Sequence, residues 1–451
     1  MSISSPPPFR RICLISLGCA KNLVDSETML GSLPPEHFRP TVRMEEADIV
    51  VVNTCGFLRS SRREGREAIR RASRWRRRSG GILVVAGCLI QYCGERAGKL
   101  FPDADILLGV GEAGSLGRLL TDPDPARLSL RPVPHFPVNE DLPRLVSTPR
   151  HWGYLRIADG CDNRCSYCLI PALRGPYRER PPSRILEEAR RLADRGAREL
   201  VLIAQDTARY GRSLPGRRGL DRLLEKLQAI DSLDWIRVLY SHPRHVDSGL
   251  LRAVAELPKV CPYLDIPLQH IDDGILKRMG RKIDSRRIRE VIDRARELVP
   301  GISLRTTLMV GFPGEGESEF EKLAAFIRRE KFDHLGVFAY SRERGAAAYR
   351  CGPGSPVPLA NRRREFLMEV QREVSAARLR LRRGETIEVL IDGPFPEPGS
   401  PLMVGRAIFQ APEVDGLVVV EGEGIEAGEM VRVRVTGSSP YDLYGVRIEG
   451  S

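Results

Sequence analysis

Cys161-Asp-Asn-Arg-Cys165-Ser-Tyr-Cys168 packs three thiols into eight residues of a chain with 10 cysteines in 451. At that frequency, a Cys-x3-Cys-x2-Cys run arises by chance in roughly 0.005 of such sequences. Three thiolates at this spacing can hold three irons of a four-iron cube and leave the fourth iron open. A cluster with a full protein ligand set takes four cysteines. An open position predicts a site that binds something else, as catalytic zinc keeps one exchangeable position. A structural zinc site is the competing reading, but Cys165 and Cys168 form the sole Cys-x2-Cys half-site.

Disulfides are not expected. Met1 to Arg11 has three prolines and no apolar signal region. No run approaches the ~18 apolar residues of a membrane span. The expected compartment is the cytoplasm, where cysteines more often serve metal or redox chemistry.

A chain of 451 residues has room for roughly two to four domains with their own cores. Its formal net charge is +12, unevenly spread. Gly384 to Ser451 holds 12 Asp/Glu against four Lys/Arg, a net of −8, which leaves +20 on the remainder. A basic body with an acidic tail bears on the choice of partner.

Three segments follow, with an interdomain stretch between the first two. Residues 10–121 repeat an apolar, β-rich run that ends near a cysteine: Ile12–Leu17 before Cys19, Asp48–Asn53 before Cys55, and Ile82–Ala86 before Cys88. Helix-like sequence follows each run, which predicts a parallel α/β sheet. Functional groups in such sheets gather beyond the carboxyl ends of the strands. Cys19, Cys55 and Cys88 can therefore converge as a second three-thiol set, against the alternative of ordinary buried cysteines. Cys13 reads as a core residue, and Cys93 as a weaker ligand candidate. Arg59 to Arg78 is strongly basic and reads either as a solvated helix face or as an RNA contact. Residues 122–150, rich in proline, read as a linker.

Residues 151–383 alternate strand and helix patterns. The strand candidates are Tyr154–Ala158, Leu200–Ala204, Trp235–Tyr240, Leu264–Leu268, Ser303–Val310 and His334–Tyr340. Six β/α units predict an open, partial version of the parallel barrel, with its chemistry on the loops after the strands. Those loops carry Cys161 to Cys168, Gln205-Asp206-Thr207, Ser241-His242, Gln269-His270, Gly311 to Glu315, and Ser341-Arg342. Residues 384–451 show short alternating runs with Gly and Pro between them, which predicts a small antiparallel β-barrel. Its acidity disfavours tracking of phosphates and suits a basic polypeptide.

An open-iron cube beside a polar barrel mouth resembles the radical S-adenosylmethionine superfamily. That resemblance implies a cofactor bound through its methionine moiety at the open iron, and one-electron cleavage to a 5′-deoxyadenosyl radical. Tyr167 is similar to the aromatic that packs near the adenine in that superfamily. Ser16-Leu17-Gly18-Cys19-Ala20-Lys21-Asn22, Asn53-Thr54-Cys55-Gly56-Phe57, Ala86-Gly87-Cys88-Leu89 and Met309-Val310-Gly311-Phe312-Pro313-Gly314-Glu315 resemble the methylthiotransferase family. The tail resembles that family's TRAM domain, an OB-like barrel. The resemblance spans nearly the whole chain. It implies two [4Fe-4S] clusters and S-adenosyl-L-methionine: one cluster on Cys161, Cys165 and Cys168 that generates the radical, the other on Cys19, Cys55 and Cys88 that delivers sulfur. Gln205, Asp206, Thr207, Gln269, His270 and Glu315 are candidates for shaping the cofactor pocket.

Gly18-Cys19-Ala20-Lys21-Asn22 and Gln410 to Gly416 are similar to the RimO-like branch, which methylthiolates an aspartate β-carbon of small-subunit ribosomal protein S-twelve. That branch implies the ribosomal protein as partner, free or on the ribosome, together with an electron donor and a candidate ribosomal RNA contact. Modification of an adenosine in transfer RNA is the alternative. A non-catalytic iron–sulfur sensor and a radical enzyme without sulfur transfer are further readings. No residue is assigned as an acid or base.

Overall fold

The computed structural model describes residues 9–122, 127–130, 142–213, 219–397 and 399–448. The chain falls into two compact units. One comprises 1–147 with 158–180 and 343–346; the other comprises 148–157 with 181–342 and 347–451. Of the proline-rich stretch 122–150, residues 123–126 and 131–141 lie outside the described residues.

The first unit is built on six parallel strands: β1 (Arg10–Ser16), β2 (Phe38–Pro40), β3 (Ile49–Thr54), β4 (Ile82–Gly87), β5 (Ile106–Leu108) and β6 (Leu128–Ser129). Their order is β2-β1-β3-β4-β5-β6. β3 and β4 are apolar runs buried on both faces, as a helix-covered parallel sheet requires. Alternation sorts their side chains. Val50, Val52, Leu83 and Val85 pack against Ala68, Ile69, Ala72 and Trp75 of the helix Arg59–Ser79. Ile49, Val51, Val84 and Ala86 form the opposite face with Met29 of the helix Ala20–Gly31. Cys13 is buried on the first of these faces, as expected for a core residue. Residues 158–180 add a small antiparallel pair, β8 (Ala158–Asp159) with β9 (Arg178–Glu179).

The second unit holds a parallel sheet of β7 (Trp152–Arg156), β10 (Glu199–Ile203), β11 (Trp235–Val238), β12 (Val260–Asp265), β13 (Ser303–Val310) and β14 (His334–Ala339). Each strand pairs with the next, and among the described residues β14 does not pair with β7. This is the open, partial barrel expected from six β/α units. β12 differs from the expected Leu264–Leu268 by starting four residues earlier. The earlier start takes in Pro262, which lacks a ladder donor. The sheet accommodates it where the pairing of β12 with β11 shifts register between Ile236 and Val238.

The tail forms a closed barrel, β15 (Thr386–Pro394), β16 (Met403–Ala407), β17 (Val418–Glu421), β18 (Met430–Ser438) and β19 (Leu443–Arg447). Val389, Ile391, Val418, Val420, Val433 and Leu443 fill its interior. β19 was not anticipated, and it pairs parallel with β17 while the other pairings are antiparallel.

The segment joining β16 to β17 is anchored at the amino ends of the parallel strands. Glu199, Ser303 and His334 open β10, β13 and β14. Glu199 binds Arg406 and Arg237, and Arg237 donates to the Ile408 carbonyl at 2.7 Å. Ser303 and His334 both meet the Phe409 carbonyl. Tyr154 donates to Glu413 at 2.6 Å, and Tyr263 to Asp415 at 2.7 Å. Buried charges persist only when paired and hydrogen-bonded, and here each carboxylate finds a cation or a hydroxyl. Among the described residues, no helix is long and apolar enough to cross a membrane.

Candidate metal centres

The first three-thiol set arises from strand order. Cys19 caps the amino end of the helix Ala20–Gly31, Cys55 follows β3 directly, and Cys88 follows β4 and opens the helix Cys88–Cys93. β1, β3 and β4 are neighbours in the sheet, spaced about 4.8 Å apart, so the three loops leave the sheet side by side. The loops touch. A Cβ on Gly56 would lie 2.3 Å from the Cys88 carbonyl oxygen, and one on Gly18 would lie 2.9 Å from Cys55 Cβ. Asn53 ties the loops to the helix by donating to the Asn22 carbonyl and to Ser26 Oγ, both at 2.9 Å. Cys19 is exposed, Cys55 partly buried and Cys88 buried. Burial pushes the Cys88 thiol up to about 12, against the pull of Arg174, and it raises Cys55 as well. Metal ligation must displace these protons.

Arg174 stands beside this set. It ends the short helix Ile170–Arg174 after the second cysteine run, and it is 1% exposed. Its guanidinium donates to Asn22 Oδ1 at 2.9 Å, Asp25 Oδ2 at 2.7 Å and Asp159 Oδ2 at 3.1 Å. Burial favours the neutral form, but Asp25 and Asp159 outweigh it and keep the group charged. Arg62 plays a comparable part on the other side. It donates to the Gly56 carbonyl at 2.9 Å, pairs with buried Glu343 and lies over the Tyr92 ring. Arg174 was not singled out from sequence, and Arg62, expected with the basic stretch Arg59 to Arg78 on a solvated or RNA-binding face, is instead buried against Glu343. Asn22 and Asp25, one helical turn apart, were the available hint that a partner sits there.

Cys161, Cys165 and Cys168 lie in a partly buried loop of the same unit. Asn163 N–H donates to Cys161 Sγ at 3.5 Å, and Ile170 N–H to Cys168 Sγ at 3.4 Å. Each of these amides orients the sulfur it meets. Cys168 N–H closes a turn on the Cys165 carbonyl at 3.0 Å. Arg164 holds a positive φ of 53° between the first two thiols, and Tyr167 is partly buried between the second and third.

No three His, Cys, Asp or Glu among the described residues surround a point tightly enough for a single ion. Zinc–sulfur bonds of 2.3 Å would bring tetrahedral sulfurs to about 3.8 Å from one another. A four-iron cube spreads its thiolates over separate corners and needs a wider set. Each set offers three thiol donors, the sulfur ligation that iron–sulfur clusters take.

The pocket candidates of the second unit all follow its strands, and several have protein partners. Asp206 is buried; its carboxylate meets His245 Nδ1 at 2.6 Å and accepts the His242 N–H at 3.2 Å. Thr207 Oγ1 accepts the Ala204 N–H, and the Thr207 N–H donates to the Tyr240 carbonyl. His270 Nδ1 accepts the Asp272 N–H at 3.0 Å, which leaves the proton on Nε2, 3.5 Å from Glu315 Oε2. Glu315 Oε1 takes the Gly311 N–H and Arg363. Gln205 and Gln269 are partly exposed. Tyr240 and Gln269 have positive φ, 62° and 74°, at the carboxyl ends of β11 and β12. Strain of this kind, about 1–3 kcal/mol each, concentrates at functional sites.

Comparison with known proteins accords with this arrangement. Residues 155–327 match the radical SAM superfamily, 11–109 the uncharacterized protein family UPF0004, and 384–448 the TRAM domain. The radical S-adenosylmethionine methyltransferase TsrM from Kitasatospora setae shares the fold at a TM-score of 0.54 and 15% identity, over 73% of this chain and 72% of that one. Ribosomal protein uS12 methylthiotransferase RimO of Geobacter sulfurreducens is 43% identical over 96% of this chain and 98% of its own. The enzyme of the same name from Trichlorobacter lovleyi is 42% identical over 98% of each. The chain belongs to the family of ribosomal protein uS12 methylthiotransferases named RimO.

Proposed function

We propose that this chain is a radical S-adenosylmethionine methylthiotransferase that adds a methylthio group to the β-carbon of an aspartate in ribosomal protein uS12, in the cytoplasm and with an external electron donor. Cys161, Cys165 and Cys168 hold one [4Fe-4S] cluster, and Cys19, Cys55 and Cys88 hold another. The boundaries 10–121, 151–383 and 384–451, with 122–150 between the first two, belong to the same reading. When bound, the clusters and the methionine cofactor supply the radical, the sulfur and the methyl group.

The chain's own residues position and shield that chemistry. The Asn163 and Ile170 amides point at the Cys161 and Cys168 sulfurs and fix their orientation. Arg174 places a fixed positive charge by the Cys19, Cys55 and Cys88 set and locks Asn22 under Cys88. Asp206, Thr207, His270 and Glu315 brace the loops that follow the strands of the second unit. The exposed carboxylates Glu385, Glu388, Glu397, Glu421, Glu423 and Glu426 offer a docking face for a basic polypeptide, whereas Asp392, Glu413 and Asp415 are spent on the joint with the parallel strands.

The observation that carries this reading is the emergence of three cysteines from three adjacent strands. Anaerobic reconstitution should load about eight irons, and about four in a Cys19→Ala/Cys55→Ala/Cys88→Ala variant. Incubation with purified uS12, small subunits and transfer RNA should add mass to one aspartate of uS12. Modification of the RNA alone would overturn the substrate assignment.

A further inference from the structure

The helix Arg59–Ser79 buries Arg62, Gly65, Ala68, Ile69, Ala72, Ser73 and Trp75. The opposite face carries Arg59, Arg63, Arg66, Arg70, Arg74 and Arg77, all exposed. Their spacing of four, three, four, four and three residues keeps them in one straight stripe, about 27 Å long at 1.5 Å per residue. It begins four residues after Cys55.

On this helix two glutamates, Glu64 and Glu67, stand against ten arginines, and among the described residues neither closes an ion pair. On several other helices, surface arginines close ion pairs with a glutamate three or four residues away: Arg184 with Glu187, Arg222 with Glu225, Arg286 and Arg287 with Glu290, Arg294 with Glu297, and Arg372 with Glu369. On this helix Arg76 and Arg77 pair with Asp105 and Asp103 at its carboxyl end. Arg63, Arg66, Arg70, Arg71, Arg74 and Arg78 enter no ion pair among the described residues. Arginines repeated at i and i+4 repel and destabilise a free helix. A polyanion laid along the stripe removes that repulsion.

We propose that the exposed face of Arg59–Ser79 binds the phosphate backbone of structured RNA. Arginine suits this partner because its planar fork meets phosphate oxygens two at a time. A rigid row of charges fits a duplex backbone, which proteins read by shape and phosphate contact rather than by sequence. That the RNA is ribosomal rests on the uS12 reading; that the stripe binds RNA does not.

The test uses iron-loaded full-length enzyme and a fluorescent RNA hairpin across a salt series. Each phosphate neutralised contributes roughly 0.7–0.9 to the slope of log affinity against log salt. Arg63→Gln/Arg66→Gln/Arg70→Gln/Arg74→Gln should therefore lower the slope by about three, with iron content and circular dichroism unchanged. The control Arg286→Gln/Arg287→Gln/Arg294→Gln removes paired arginines from another helix and should leave the slope alone. An equal loss in the control, an unchanged slope in the fourfold variant, or competition by polyglutamate as strong as by unlabelled RNA would overturn the proposal. With small subunits as substrate, the fourfold variant should raise KM about tenfold while KM for isolated uS12 stays constant. No modification of uS12 in either form would refute the proposed function and leave the RNA result standing.

Discussion

The guanidinium of Arg174 donates to Asn22 Oδ1 at 2.9 Å, and the same oxygen faces Cys88 Sγ at 3.6 Å. Asn22 belongs to the helix that Cys19 caps, and Cys88 opens a helix two strands away in the sheet. Arg174 belongs to the stretch that carries Cys161, Cys165 and Cys168. One buried cation thus ties the second cysteine run to the geometry of the first. If the loops hold clusters, their assembly is coupled through the protein.

Arg174→Met should break that coupling. It leaves the Asp25 and Asp159 carboxylates without a cation in a buried setting, a loss of about 3–5 kcal/mol. Arg174→Lys retains the charge but not the fork and should fall between the two. Urea unfolding reads the stability. Iron content after anaerobic reconstitution reads the site, with about four rather than about eight irons expected for the methionine variant. Full iron loading in Arg174→Met would show that Arg174 does not organise the Cys19, Cys55 and Cys88 set.

Much of this was legible in the sequence, for identifiable reasons. Apolar runs ending near Cys19, Cys55 and Cys88 marked strands whose ends carry function, and the parallel sheet follows from them. The strand order did not follow. It is order that makes β1, β3 and β4 neighbours and brings the cysteines together. Arg174 was missed, and Arg62 was placed on a basic surface, because a buried arginine looks like a surface one until its carboxylate is found in space. The acidic tail was read as a docking surface, yet Glu413 and Asp415 bind Tyr154, Tyr263 and Arg305. Charge counting does not separate exposed carboxylates from those committed to the fold. Strand β19 escaped notice because five residues interrupted by Gly445 carry little alternating pattern.

Gly56→Ala is a sharper probe of the touching loops. The added methyl would sit 2.3 Å from the Cys88 carbonyl oxygen, so the Cys55 and Cys88 loops must separate. Overpacking of this kind costs about 1–3 kcal/mol. The expected outcome is a folded protein that loses iron from this site and keeps the iron bound by Cys161, Cys165 and Cys168, as read by Mössbauer spectroscopy.

Exposure predicts an order of thiol reactivity. In the metal-free chain, Cys19 and Cys351 are exposed, and Cys13, Cys88, Cys93 and Cys261 are buried. Iodoacetamide should label Cys19 and Cys351 first and Cys88 late, because burial disfavours the reactive thiolate. In the reconstituted enzyme, Cys19 should become protected while Cys351 still reacts. Mass spectrometry of digests distinguishes the two. Persistent labelling of Cys19 in iron-replete protein would argue against its being a ligand.

Acid should loosen the joint between the tail barrel and the parallel strands. Burial works to raise Glu199, but Arg406 and Arg237 outweigh it and hold its carboxyl below the ordinary value of 4.5. Burial likewise opposes His151 and Arg406 at Asp392, whose carboxyl stays below 3.8. A depressed folded value means that the stabilisation is fully present above the unfolded value and disappears as pH falls through the folded one. Unfolding free energy should therefore hold down to about pH 5 and then decline. Glu199→Gln should cost about 3 kcal/mol near neutral pH, and its gap from the parent should close in acid. A gap that is constant across this range would rule out the ionised pair as its source.

Asp415 offers a last discriminating substitution. Its carboxylate accepts from the Tyr263 hydroxyl at 2.7 Å, the Ala411 N–H at 2.8 Å and Arg305 Nε at 3.2 Å, and its side chain is fully buried. Asp415→Asn keeps the shape but leaves Arg305 short of a counter-charge and turns one acceptor into a donor facing donors. Loss of one partner from a buried charged network costs about 3–5 kcal/mol, so the Ile408–Asp415 segment should detach from the parallel strands. Limited proteolysis should then cut this segment at low protease concentrations that spare the parent. Glu421→Gln, on the exposed end of β17, should change stability by no more than about 0.5 kcal/mol. If the exposed carboxylates dock uS12, Glu421→Gln weakens substrate binding without loosening the barrel, and Asp415→Asn loosens the barrel whether or not substrate is present. Equal protease resistance of Asp415→Asn and parent would show that the barrel is held by its apolar contacts alone.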